Sequence, residues 1–392
     1  MNGRKLSVAA AVCFVCSCSS GGPLVTNELT VPGATGAFTF DIGAVDNGHY
    51  YLADRTNKAL DVYDSKTYQL LGQIKGTGAL AFAGQGTDNA HSGPDGVAVI
   101  PGTNTVYVGD VGSVKIVDVG SMTVVKNIPL PPPGATTTTF RADEGCYDKD
   151  DNLIMMAHPE ETNPSPFLDF ISTTTQARVA TLVLPDSGGL EACVYDSATK
   201  SFYFNNDGTT ANPNGELDVI TAASVVAGAP VVSKSYGLGD CGPTGMDLGP
   251  GNDLVIGCDP SGAASGAPAG TPIVTLIVNK TNGNKLATVP IGGSDQVAYD
   301  KVSNRYFVAA RRWQTGGVLI PPPAGGTLAT NPSLGIIDAG SRTLLTRLDA
   351  GNNDHSVAVD GAAHRVFVPH TTGSSSTTPL FLTSGITIYS TE

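Results

Sequence analysis

The sequence predicts an all-β fold, a seven-bladed β-propeller of four-stranded antiparallel blades whose N-terminal strand closes the last blade, and three observations predict it. A short stretch recurs as Asp41-Ile-Gly-Ala-Val-Asp46, Asp95-Gly-Val-Ala-Val-Ile100, Asp143-Glu-Gly-Cys-Tyr-Asp148, Glu191-Ala-Cys-Val-Tyr-Asp196, Thr244-Gly-Met-Asp-Leu-Gly249, Asp295-Gln-Val-Ala-Tyr-Asp300 and His355-Ser-Val-Ala-Val-Asp360. Spacings of roughly 50 residues are those of radial arrays of four-stranded blades. The composition, with 48 Gly, 26 Pro and 15% charged residues in 392, favours turns over helices. The last repeat lacks a fourth strand, and a strand of that type stands alone before the first repeat.

In chain order, residues 1–17 read as an export leader of lipoprotein type. Arg4 and Lys5 precede an apolar run from Leu6 to Val15 that is too short to span a bilayer. Val15-Cys16-Ser17-Cys18 resembles a lipobox with Cys18 as the lipidated residue, which predicts an exported protein held in the cell envelope by its N-terminal lipid; simple secretion without a lipid is the alternative. Residues 18–23 read as a tether and 24–392 as one propeller domain. The formal charge of −13, more negative still without Arg4 and Lys5, repels phosphate backbones and argues against a nucleic-acid partner. A monomer is expected.

The unpaired strand is Leu24 to Val31. The repeats supply inner strands at the seven stretches above. Second strands follow at Tyr50 to Ala53, Thr105 to Gly109, Leu153 to Ala157, Phe202 to Asn205, Leu254 to Gly257, Tyr306 to Ala309 and Val366 to Pro369. Third strands read as Leu60 to Tyr63, Val114 to Val117, Leu168 to Ile171, Leu217 to Ile220, Ile273 to Leu276, Leu334 to Ile337 and Gly385 to Ser390. The fourth-strand series runs Leu70 to Ile74, Val124 to Leu130, Val179 to Leu184, Val231 to Tyr236, Lys285 to Ile291 and Leu344 to Leu348, and then stops. Pairing Leu24 to Val31 with Gly385 to Ser390 removes the edges an open array would expose. Of the cysteines beyond Cys18, Cys241 and Cys258 flank one hairpin and are expected to form a disulfide, whereas Cys146 and Cys193, one repeat column apart, read as buried small apolar residues.

Asn304-Arg-Tyr-Phe-Val308, Thr105-Val-Tyr-Val108 and Leu60-Asp-Val-Tyr-Asp64 carry a resemblance to the YVTN-type, YncE-like seven-bladed β-propellers, over nearly the whole chain beyond the leader. The resemblance implies the fold and little about activity, because it spans binding proteins and enzymes.

Function is sought where the long loops are. Connections from first to second and from third to fourth strand are short; those leading into inner strands and out of second strands are long, and in an up-and-down blade both emerge on one face. On that face the first column of the repeat converges: Asp41, Asp95, Asp143, Glu191, Thr244, Asp295 and His355, with Glu144 one residue behind. A charged column has no packing reason to exist at the start of a buried strand. Crowded carboxylates raise one another's pKa unless a cation neutralises them, which makes Asp41, Asp95, Asp143, Glu144, Glu191, Asp295 and His355 candidate ligands of a divalent cation, Ca²⁺ first and Mg²⁺ or Mn²⁺ next. The bland alternative is a hydrated, hydrogen-bonded lining. A second ring is expected from the ends of the second strands: Asp54, Asp110, His158, Asp207, Asp259, Arg311 or Arg312, and His370, with Arg141 and His91 arriving from loops. Of these, His91, Asp110, His158, Asp259 and His370 are the candidate ligand-binding residues. His355, Asp143, Glu191, Arg141 and Arg312 are the candidate catalytic residues.

Propellers with acidic metal rings at inner-strand starts include lactonases and related hydrolases. That likeness of architecture implies a metal-dependent hydrolase or lyase acting on a small lactone, ester or related carbonyl compound. The competing expectation is a non-catalytic binding protein for a sugar, peptide or protein partner. A copper or redox site asks for more imidazole or sulfur than the inner ring contains. No nucleophile elbow, phosphate loop, dinucleotide fingerprint or zinc helix motif occurs.

Overall fold

A computed structural model describes residues 25–34, 38–162, 165–261, 267–323, 326–373 and 381–391. The leader, Cys18 and the tether lie outside the described residues. Seven four-stranded sheets form, and in each the strands lie in the order inner, second, third, outer. Blade 1 comprises Phe40–Asp46, His49–Asp54, Ala59–Asp64 and Leu70–Ile74. Every pairing is antiparallel, so each blade is an up-and-down meander.

The tight turns follow from local chemistry. Asp46-Asn47-Gly48-His49 places Asn47 and Gly48 at φ 50° and 77°, the backbone of a primed hairpin turn. In blades 3, 4, 6 and 7 the inner strand instead ends in an Asp that accepts backbone N–H bonds from residues two or three positions on: Asp148, Asp196, Asp300 and Asp360. These turns close on Asn152, Lys200, Asn304 and His364 with positive φ. The carboxylates are turn formers, on the face opposite the long loops.

Packing energy resides between blades. Seven separate clusters of buried apolar residues form, one at each junction, such as Met155, Phe170, Phe202 and Phe204 between blades 3 and 4. Closure occurs as expected. Val25–Leu29 pairs with Gly385–Ser390 in the register Leu29↔Ile386 and Asn27↔Ile388. Glu28 locks the joint, receiving Thr387 Oγ1 at 2.6 Å and meeting His370 Nε2 at 2.6 Å.

Three readings change. The third strand of blade 5 is Thr275–Asn279, two residues later than expected, because Pro272 and Ile273 pair with the loop around Gly317 and Val318. A short helix, Ala222–Val226, stands where blade 4 was expected to turn tightly; Thr221 caps it by accepting Ser224 N–H. Cys146 and Cys193 are disulfide-bonded, with Cα atoms 5.6 Å apart, and so are not the unbridged apolar residues expected. The one-column offset vanishes when blade 3 is counted from Glu144, since each cysteine then lies two residues after a ring glutamate. Cys241 and Cys258 form a second bond, inside blade 5.

Candidate functional site

The inner strands start in two ways, and both serve the channel mouth. In blades 1, 4 and 5 the strand reaches the mouth but slips register between Phe40 and Gly43, Leu190 and Cys193, and Pro243 and Met246. Asp41, Glu191 and Thr244 sit in these irregularities, and a bulge is the device that re-aims one side chain out of a strand's alternation. In the other blades regular pairing begins only after the ring residue, at Val97, Gly145, Val297 and Ala358. Neighbouring inner strands approach closely here. A Cβ on Gly96 would meet the Asp143 carbonyl oxygen at 2.1 Å, and one on Gly245 the Asp295 carbonyl oxygen at 2.2 Å.

A cavity of about 420 Å³ opens at the mouth, lined by Asp41, Asp143, Glu144, Glu191, Asp295 and His355 together with Arg55, Arg141, Arg311 and Arg312. The segment Gln85 to Asn89 forms part of its wall. Asp95, fully buried, lies behind it. Thr244 instead ties blades together, its hydroxyl donating to the Ser294 carbonyl at 2.8 Å.

The ring divides into two halves of different electrostatics. In one half arginines neutralise the acids. Arg55 reaches Asp41 at 3.0 Å, donates through Nε to Asp95 at 2.9 Å and holds Asn89 of the wall. Arg141 pairs with Asp143 at 2.6 Å and Glu160 at 2.8 Å. Burial alone would raise Asp41, but the Arg55 guanidinium, His355 and Arg141 hold its carboxyl well below the usual range. In the other half Glu144, Glu191 and Asp295 present carboxylate oxygens that all lie within 4.8 Å of one another. Among the described residues the one ion pair these three acids make is that of Asp295 with Arg311, at 3.1 Å. Burial first, then the surrounding carboxylates, pushes Glu144 and Glu191 well above the ordinary carboxylate range.

His355 bridges the halves. Its ring stacks on Phe40 at 4.7 Å, and Nδ1 donates to the Asn353 carbonyl at 2.9 Å. Nε2 is thereby turned toward Asp41, 3.3 Å away.

Most of the expected second ring turns into the blades. Asp110 meets Lys115 at 3.5 Å and accepts the Ala83 N–H; His158 stacks on Phe167 with Nε2 3.4 Å from Asp169; His370 meets Glu28. Asp54 is engaged by Asn57 and shares a buried acid pair with Asp61. Strand side chains stand on the two faces of their sheet, toward the neighbouring blades, and not along the sheet toward the channel, so these ends find partners on third and outer strands. His91 meets Asp88 at 2.5 Å and leans on Phe140 in its loop. Asp259 pairs with Arg312 at 2.6 Å on the cavity rim. Asp207 lies beside the mouth, raised to about 7 by burial and then by Asp295. Sequence reasoning missed Arg55 and left Arg311 undecided. Both directly follow the last residue of a second strand, Asp54 and Ala310, and that shared position was the available signal.

No family model matches the chain, and no curated protein matches it in sequence. Among solved structures, the hydrazine synthase of Kuenenia stuttgartiensis is similar in fold, with TM-score 0.64 and 14% identity over 94% of this chain and 97% of that one. A chain in the crystal structure of the mitotic checkpoint complex gives TM-score 0.62 and 12% identity over 100% of this chain and 98% of that one. At these identities the likeness is one of fold alone.

Proposed function

We propose that Glu144, Glu191 and Asp295 hold a divalent cation, Ca²⁺ before Mg²⁺ or Mn²⁺, and that the mouth is the active site of a cation-dependent hydrolase or lyase for a small lactone, ester or related carbonyl compound. The observation that carries this reading is the unequal neutralisation of the ring: three carboxylates converge within 4.8 Å, and among the described residues their one ion pair is that of Asp295 with Arg311. Oxygen donors of this kind suit hard cations. When bound, the cation would polarise the substrate carbonyl and stabilise the charge that develops on its oxygen.

The chain's own residues supply the rest. His355, its Nδ1 committed to Asn353 and its Nε2 facing Asp41, is held in place at the mouth by these two partners, where it can orient an attacking water or the substrate. Arg312, on the rim and about a third exposed, can exchange Asp259 for an anionic group of the substrate. Arg141 and Asp143, occupied by each other, are assigned a scaffolding rather than a chemical role.

The test is elemental analysis of the purified protein, followed by thermal melts with Ca²⁺, Mg²⁺, Mn²⁺ or a chelator and a screen of lactones and esters. Copurifying metal, a higher melting temperature when loaded and chelator-sensitive turnover are expected. Glu191→Gln should lose metal, whereas His355→Gln should keep metal and lose turnover. Equal stability with and without metal, and no binding, overturns the reading. Metal binding without turnover on any carbonyl compound favours the non-catalytic binding protein.

A further inference from the structure

We propose that the Cys146–Cys193 disulfide is a positioning element of the cation site, setting the spacing between Glu144 and Glu191; the inference rests on the cation-site reading above. Glu144 and Glu191 stand on adjacent blades, and each lies two residues before a cysteine of the bond. Two strand residues span about 7 Å, so the covalent link is one short lever from both carboxylates.

The inner strands of blades 3 and 4 belong to separate sheets. No ladder of hydrogen bonds joins them. Their separation is otherwise set by side-chain packing at the blade junction, through residues such as Met155 and Phe204. Packed faces slide where bonded ladders do not, and sliding at this junction would spread the Glu144 and Glu191 carboxylates, whose oxygens lie within 4.8 Å of each other. Glu191 also sits in a register irregularity, which leaves its own blade with less hold on it. A cross-link immediately below opposes that spreading and keeps the ligand oxygens at chelating distance before any cation arrives. The other disulfide, Cys241–Cys258, lies within one blade and fixes no distance between blades.

The test compares wild type with C146A/C193A by titration calorimetry with Mn²⁺ and by thermal melts with and without Mn²⁺. The variant is expected to bind Mn²⁺ at least tenfold more weakly, and its metal-induced rise in melting temperature should shrink. A purely structural cross-link would lower the metal-free melting temperature and leave that rise and the affinity unchanged, which would overturn the proposal. The electron paramagnetic resonance spectrum of bound Mn²⁺ gives an independent readout: a changed coordination signature in the variant supports positioning, an identical one opposes it. If C146A/C193A fails to fold, folded wild type is treated with a phosphine reductant, the opened bond is identified by mass mapping, and the same titration is read. Failure is separable by source: no Mn²⁺ binding by wild type overturns the cation site itself, whereas equal binding by both forms overturns only the role of the disulfide.

Discussion

Aspartate does three different jobs in this chain, and its surroundings decide which. At the ends of inner strands it closes turns by accepting backbone N–H groups, as Asp148 and Asp300 do. Within blades it pairs with second-strand side chains, as Asp169 does with His158. At the mouth it joins the ring. The ring column was legible in the sequence because a charge at the start of a buried strand stands out. Its neutralisation was not, because Arg55 meets Asp95 only after a loop has folded back. Asp247, half-buried in the lower channel, yields a pH prediction. Burial raises its carboxyl to about 6 against the opposing backbone bonds from Tyr299 and Leu248. Between the ordinary carboxylate range and pH 6 the folded protein therefore keeps a proton that the unfolded chain has released, so this group makes stability fall as pH rises through that window. Asp247→Asn should remove that part of the slope and gain roughly 1–2 kcal/mol at pH 7.5 relative to pH 4.5. Denaturant unfolding of both proteins at the two pH values checks it, and parallel pH profiles would refute it.

At the scale of elements, the short strands and turns were readable from alternation and turn chemistry, whereas starts and stops depended on contacts with other segments. Blade 5 shows this. Ile273 has the pattern of a third-strand residue, yet its N–H bonds to the Gly317 carbonyl, and the strand begins at Thr275. Where inner strands converge, absent side chains matter most. Gly245→Ala would drive a Cβ into the Asp295 carbonyl oxygen at 2.2 Å and the Gln296 Cα at 2.7 Å. Both contacts involve backbone, which cannot swing aside. The substitution should cost about 2 kcal/mol or more, and chemical denaturation checks that figure; a change within about 0.5 kcal/mol, typical of surface substitutions, would mean that the inner strands separate easily.

For the whole molecule, stability is distributed around a ring of seven junctions and depends on its closure. Removing residues through Pro32 would expose the edge of Gly385–Ser390 and strip Glu28 from His370 and Thr387. A loss of about 3 kcal/mol or more is expected from the apolar surface and strand edge uncovered. A thermal transition unchanged by the truncation would refute the closure's contribution.

By itself the sequence determined the number of blades, the order of strands, the joining of the two ends and the presence of an acidic column, because each is written in local periodicity that a repeat reports seven times over. Only the tertiary structure decided which acids acquire arginine partners, that Glu144, Glu191 and Asp295 remain together with Arg311, and that Cys146 meets Cys193. Those outcomes depend on distances between blades, where residues separated by 40 residues or more in the chain meet, as Arg55 and Asp95 do. Such distances are set by side-chain packing and bulges, which no local pattern encodes.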